Sequence, residues 1–299
     1  MPKQQTAVRF HTPILRWYAQ NQRALPWRRT SDPYSILLSE IMAQQTQVNR
    51  VSEFYRRWRK RFPTFVDLAN ASASDVLREW SGLGYNSRAL RLHRLAKTVS
   101  QQFHSRLPRN PEELQKLPGI GRYTAHAVCC FAFGQQLPVV DVNIRRILTR
   151  WTRAVTSSTE ILREADAWEK AVVFLPARGS SRWNQALMDL GARICTARKP
   201  KCAECPVTSQ CRSSFSPAFL QKPAKKEKTE PSWKGIPRRI YRGRIVKMLL
   251  HHSLPADEIA STLWKGSSPR DAAWIETVLH AMHREKILTF RRGKYTIAK

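Results

Sequence analysis

Four cysteines crowd into one short stretch of the chain, in the order Cys195-x6-Cys202-x2-Cys205-x5-Cys211. Thiols this close in sequence either cross-link in pairs or converge on a metal, and the redox setting decides which. Residues 1–10 hold no long apolar stretch of the secretory kind, and no run approaches the roughly 18 apolar residues of a membrane span. A reduced intracellular setting is therefore expected, where such a cluster binds metal. Four thiolates in one loop saturate either a tetrahedral zinc ion or a cuboidal iron–sulfur cluster, and spacing alone does not separate the two. Lys199, Lys201 and Arg212 lie among or beside the cysteines, where cations favour thiolate over thiol and suit a loop lying against phosphate. The remaining pair, Cys129 and Cys130, falls in the apolar stretch 127–133 and reads as small buried hydrophobes.

The charge narrows the partner. The 299 residues carry 52 Lys+Arg against 22 Asp+Glu, a net charge of +30. A surface that repels itself this strongly implies a polyanionic partner, with nucleic acid the first candidate and an anionic membrane the second. The length supports about two domains.

Local signals organise the chain as a mainly helical region at 1–214, a basic proline-containing linker at 215–236 and a small domain at 237–299. Asp32-Pro33 marks a helix start, and apolar spacing predicts helix over 34–47. Ser72 with Asp75, and Asn110-Pro111 with Glu113, mark two more starts. Gly/Pro punctuation at 82–84, 118–121 and 134–138 separates short helices, and no run of alternation long enough for a sheet occurs before residue 214. Between Lys222 and Lys247 ten Lys/Arg face two Glu, the densest part being Lys225-Lys226-Glu227-Lys228. In the last domain, helices are predicted over 239–251 (Ile240, Ile245, Leu249 and Leu250 apolar), 255–263 and 270–286 (burying Trp274, Val278, Leu279 and Met282). A hairpin follows with its turn at 291–294. Three helices and a hairpin suggest a winged-helix-like domain.

The segment Leu117-Pro118-Gly119-Ile120-Gly121-Arg122-Tyr123-Thr124-Ala125 joins two helical stretches. Gly119 and Gly121 permit a tight turn with close backbone approach, the following helix points its N–H groups outward, and Arg122 adds charge. The segment 117–125 is a candidate phosphate-binding hairpin.

Together with Leu25-Pro26-Trp27, the run Ser39-Glu40-Ile41-Met42-Ala43-Gln44-Gln45-Thr46-Gln47-Val48, Gly82-Leu83-Gly84-Tyr85, Val140-Asp141-Val142-Asn143 and Met188-Asp189-Leu190-Gly191-Ala192, these features resemble the helix-hairpin-helix DNA glycosylase superfamily. The resemblance is to its endonuclease III type, and within that to the adenine DNA glycosylases, over about residues 25–211. It implies a fold of two helical subdomains, a 4Fe–4S cluster on Cys195, Cys202, Cys205 and Cys211, and a duplex DNA partner bearing a mismatch or lesion. It also implies a monomer, not bound to membrane, working in the cytoplasm and nucleoid or in a nucleus.

The implied reaction removes adenine mispaired with guanine or 8-oxoguanine. Cleaving the bond to a purine needs a protonated leaving base and a carboxylate beside the cationic sugar, the two-carboxylate logic of glycoside cleavage. Glu40 lies in an apolar run that would raise its pKa and keep a proton available, and the resemblance assigns it protonation of adenine N7 and later activation of water. Asp141 matches the family aspartate that stabilises the oxocarbenium ion. It also fits the N-cap of the helix that follows, and the two roles are compatible. Asn143 matches the asparagine supporting that carboxylate. Tyr123 stands where bifunctional relatives carry an imine-forming lysine, so little strand nicking is expected. Gln45 and Tyr85 match residues that wedge into the duplex as the target base leaves the stack.

Three departures from the family pattern stand out. Gly84-Tyr85-Asn86 replaces Gly-Tyr-Tyr, Asp141-Val142-Asn143 replaces Asp-Gly-Asn, and 237–299 is too short and too helical for the usual lesion-reading β-domain. A thymine or uracil glycosylase acting on G mismatches is the enzymatic alternative, and a non-catalytic iron–sulfur DNA-binding regulator the alternative of another class.

Overall fold

The computed structural model describes residues 2–220 and 230–298, with side chains from Ala7 onward. Residues 221–229, including most of the basic linker and its Lys225-Lys226-Glu227-Lys228 run, lie outside the described residues. In chain order the helices are α1 (Pro2–Asn21), α2 (Pro33–Ala43), α3 (Val48–Arg61), α4 (Phe65–Asn70), α5 (Ala73–Trp80), α6 (Ser87–Gln102) and α7 (Pro111–Gln115). Next come α8 (Arg122–Phe131), α9 (Val142–Thr152), α10 (Glu164–Val173) and α11 (Ser180–Arg193). After the undescribed stretch follow strands β1 (Ser232–Trp233) and β2 (Ile236–Pro237), then α12 (Arg238–Leu249), α13 (Ala256–Leu263) and α14 (Pro269–Arg284). Strands β3 (Leu288–Arg291) and β4 (Lys294–Ile297) close the chain. The protein is mainly α, and among the described residues no helix is long and apolar enough to cross a membrane. Two compact units result, one from described residues up to 36, 109–114 and 120–220, the other from 37–108, 115–119 and 230–298.

The first unit is built on α1, α9, α10 and α11. Ala7, Phe10, Ile14 and Tyr18 recur every three or four residues along α1, so one stripe of that helix is buried. It packs with Ile144, Ile147 and Trp151 of α9, Trp168 of α10, and Trp183 and Leu187 of α11. Cys129 and Cys130 are both buried in α8, as their apolar surroundings suggest.

In the second unit α3 to α6 share a core around Trp58 and Trp80, whose rings meet edge-on with centroids 5.4 Å apart. The expected helix starts are present. Asp32 accepts the Ser35 N–H at 3.1 Å, Ser72 accepts that of Asp75 at 3.0 Å, and Asn110 accepts that of Glu112 at 2.8 Å. The helix predicted over 34–47 ends early, at Ala43, because Gln45 takes up a left-handed backbone (φ 55°) and a new helix begins at Val48.

The C-terminal elements lie close to their expected places. Val278, Leu279 and Met282 of α14 are buried, as are Tyr241, Ile245, Val246 and Leu249 of α12, while Ile240 faces solvent. Ordered packing begins before residue 237, where the sequence reading ends the linker. Trp233 stacks on Trp274 at 5.9 Å and donates its indole N–H to Asp271 at 2.6 Å. Asp271 also holds the Lys234 amine at 2.9 Å and caps α14 through Ser268, so its carboxyl lies far below the usual range. An isolated tryptophan amid prolines and lysines gives no local sign that its partner stands some forty residues ahead. Replacing Trp233 with alanine should destabilise this module by about 2 kcal/mol. Hydrogen exchange of the full chain should then show lost protection across 238–298 and unchanged protection in α9 and α11.

Candidate active site and metal centre

In the first unit, Asp141 caps α9. Its carboxylate accepts the Ile144 N–H at 2.7 Å and the side-chain amide of Asn143 at 2.7 Å. Asn143 is held in turn, since Arg146 Nη2 donates to its Oδ1 at 2.8 Å. The same guanidinium donates to the carbonyls of Gly191 and Cys195, each at 2.8 Å. One continuous set of hydrogen bonds therefore links Asp141 to the first cysteine of the loop. Burial pushes the Asp141 carboxyl above its ordinary value, opposed by the Ile144 and Asn143 hydrogen bonds and by the charge of Arg146. Val142 is 71% exposed, so replacing the family glycine there costs nothing in packing. Gly191 is required: a Cβ on it would stand 2.6 Å from the Cβ of Asn143.

Tyr123 lies in the first turn of α8, half-buried against the cluster of Ala127, Cys130 and Val139. Gly119 needs its glycine twice over, with φ +83° and only 3.2 Å of room to Arg91 Cβ. Gly121 precedes α8 and supplies no side-chain cap, so the helix begins on backbone alone. Arg122 is exposed, and its guanidinium stacks over Trp168 at 4.1 Å.

All four cysteines line one pocket, together with Leu190, Ile194 and Phe219. Four thiols lining one pocket supply the donor set of a cuboidal iron–sulfur cluster. The loop is pinned by Lys201 N–H to Ile194 O and by one-turn helices at Cys202–Glu204 and Thr208–Gln210. Arg150, buried and 45 residues away in sequence, touches sulfur. It donates to Cys195 Sγ at 3.3 Å and to the carbonyls of Thr196 and Ala197. Lys199, Lys201 and Arg212, singled out by sequence, are exposed. Burial pushes the Cys205 thiol to about 11 and the Cys211 thiol to about 12, so metal binding there releases protons.

In the second unit, Glu40 is buried in α2, where every residue from 34 to 42 is buried. Gln45 and Tyr85 are both exposed, Tyr85 by 53%, and both have left-handed backbones, at φ 55° and 49°. One residue organises them. Buried Arg88 donates to the carbonyls of Ile41 at 2.7 Å and Met42 at 3.0 Å, capping the helix that carries Glu40. It donates as well to Thr46 Oγ1 and Gly84 O, and lies 5.3 Å from the Trp80 ring and 5.4 Å from that of Tyr85. Burial lowers its pKa to about 10, which leaves it charged at neutral pH. Sequence reasoning missed Arg88, Arg146 and Arg150, which carry no motif of their own.

Within the first unit Asp189 is met by the two arginines that flank Leu25-Pro26-Trp27. Asp189 is fully buried and accepts from the Arg23 N–H and Nε at 3.1 and 2.6 Å. It also takes both terminal nitrogens of Arg28, at 2.7 and 2.8 Å. Burial raises its carboxyl, but the hydrogen bonds and charges of Arg28 and Arg23 outweigh this and set it below the ordinary range.

Comparison with known proteins gives the same outline. A family model described as "HhH-GPD superfamily base excision DNA repair protein" matches residues 38–171, and one described as the iron-sulfur binding domain of endonuclease III matches 195–211. An adenine DNA glycosylase of Homo sapiens is 41% identical over 213 residues, covering 68% of this chain and 39% of that protein. One of Mycolicibacterium smegmatis is 42% identical over 200 residues, covering 67% of each. The solved structure of a thermostable thymine-DNA glycosylase matches with a TM-score of 0.66 at 32% identity, covering 71% of this chain and 97% of that one. The chain spans about two fifths of the length of the human relative.

Two substitutions test this geometry. Gly191→Ala forces Asn143 aside and should cost about 1–3 kcal/mol by overpacking, read by denaturant unfolding. Asp189→Asn leaves two guanidinium groups without their anion and should cost about 3 kcal/mol at neutral pH. Because the folded carboxyl is depressed, its contribution is present above the unfolded value near 3.9 and lost as pH falls through the folded one. The acid limb of the stability profile should therefore be shallower in the variant.

Proposed function

The chain belongs to the HhH-GPD superfamily of base excision DNA repair proteins, with the iron–sulfur loop of endonuclease III, and we propose that it is a monofunctional DNA glycosylase releasing adenine mispaired with guanine or 8-oxoguanine. The observation that carries this reading is the state of two carboxylates: Glu40 is buried inside an apolar helix, and Asp141 is half-buried and held by Ile144 and Asn143.

In the proposed reaction the Glu40 carboxyl delivers its proton to adenine N7. The C1′–N9 bond breaks with its electrons passing to the base. The Asp141 carboxylate stabilises the sugar cation, water adds at C1′, and the water's proton returns to Glu40. Tyr123 offers a phenol where an imine-forming lysine would cut the strand, which supports hydrolysis without lyase chemistry. Gln45 and Tyr85, exposed on left-handed turns, would fill the gap left by the extruded base. The positive end of the α8 dipole, with exposed Arg122 beside it, would favour a phosphate. Cys195, Cys202, Cys205 and Cys211 would hold the 4Fe–4S cluster. When bound, the cluster supplies Fe–S bonds that fix the 195–211 loop, and excision itself transfers no electron. Such an enzyme works as a monomer on duplex DNA inside the cell. The thymine-DNA glycosylase likeness favours a second reading, excision of thymine or uracil opposite guanine.

A duplex panel of A:8-oxoG, A:G, T:G and U:G, each followed by alkaline cleavage, tests the choice. Adenine release with strand breaks only after alkali is expected, and release of thymine but never adenine overturns the assignment. Glu40→Gln and Asp141→Asn should each lower single-turnover excision by about 10²–10⁴ while DNA binding persists. Asp141 must be ionised to act and its carboxyl is raised, so the acid limb of the pH–rate profile should begin above the ordinary aspartate value of about 3.9.

A further inference from the structure

We propose that the C-terminal module, residues 230–298, is a second surface for duplex DNA, with α14 seated in the major groove and the β3–β4 turn against the flanking phosphates. This goes beyond the excision chemistry and does not depend on it.

The order of elements makes the first argument. Leu254, between α12 and α13, pairs with Tyr295 of β4 through two backbone hydrogen bonds of 3.1 and 2.8 Å, and so adds a third extended segment beside the hairpin. Helix, short strand, helix, helix and two-stranded wing is the winged-helix order, in which the third helix is the one free to enter a groove. The buried side of α14 is occupied by Ile275, Val278, Leu279 and Met282.

The outer side supplies the second argument. Arg270, Ala273, Thr277, His280 and Arg284 are all exposed and recur every three or four residues, forming one stripe with a cation at each end. Small and polar groups in the middle suit base edges, and the terminal arginines suit the phosphates on either side. Glu276 also lies exposed on α14. A carboxylate there repels phosphate but accepts from cytosine N4, which places the middle of the helix over bases.

The wing is the third. Arg291, Arg292, Gly293 and Lys294 are exposed at its tip, and Arg292 and Gly293 make the tight reversal with φ 48° and 74°. Among the described residues the ion pairs of this module are Lys234–Asp271, Arg239–Glu230 and Arg242–Glu285. None includes the cations of the stripe or the wing. A protein-binding face would instead offer clustered apolar anchors; among the described residues the exposed large hydrophobics of this module are Ile240, on α12, and Phe290, beside the wing tip.

The test uses the full chain and a short undamaged duplex, on which no base is excised, so its failure is distinct from failure of the glycosylase reading. Binding is measured from about 50 to 200 mM salt for R291A/R292A/K294A and, separately, R270A/R284A. The slope of log affinity against log salt should fall by about 0.9 for each phosphate contact removed, with affinity at ~0.1 M salt lower by about tenfold or more. R291K/R292K should retain most of both, and melting temperatures should not move, because every altered side chain is exposed. Unchanged affinity and slope in both alanine variants would overturn the proposal; a protein-facing module would give that result.

Discussion

Helices α9 and α11 meet where Gly191 faces Asn143, and no room for a methyl group is left between them. That contact fixes more than two helices. It brings the Gly191 carbonyl within reach of Arg146, which in the same position binds the Cys195 carbonyl and the Asn143 side chain. A half-buried guanidinium is best tolerated when most of its donors are used, and here the backbone at the end of one helix and a side chain at the start of another use them. The start of α9, with Asp141, and the entrance to the cysteine loop are thus set by one close approach. A different residue at 191 would disturb both at once.

Much of this was legible locally. Capping signals at Asp32, Ser72 and Asn110 located helix starts because a cap is a contact between residues two or three apart. The cysteine spacing located the loop, and the apolar period placed α12 to α14 within a residue or two. Distant partners escaped the reading. Arg88, Arg146 and Arg150 are three among 52 lysines and arginines, and a cation that binds carbonyls of a far helix looks no different in sequence from one that faces water. The early end of α2 was missed for the same reason, since the carbonyls it exposes are taken by Arg88, more than forty residues on. The roles of Glu40, Gln45, Tyr85 and Tyr123 came from resemblance, because burial or exposure alone does not name a reaction.

The cations of this chain sort by what they touch. Arg88 takes up carbonyls at the end of α2, and Arg146 and Arg150 those in the last turn of α11 and just beyond it. Helix C-termini carry partial negative charge and unpaired carbonyls, so they accept a cation without consuming a carboxylate. In a chain with 22 acids against 52 bases, this solution keeps acidic side chains free for other tasks. Where a buried carboxylate is used instead, at Asp189, it serves two arginines at once.

The same economy of acids bears on Asp141. Arg146 is near enough to bias it electrostatically, yet the contact between them runs through the Asn143 amide, which donates to the carboxylate while its carbonyl oxygen receives the guanidinium. A direct ion pair would orient the carboxylate as firmly. It would also depress its pKa and neutralise the negative charge that a sugar cation requires. An intervening amide orients without neutralising. The spacing Asp-x-Asn at the start of α9, followed three residues later by an arginine, is therefore a way to hold a carboxylate still inside a strongly basic protein while leaving its charge available.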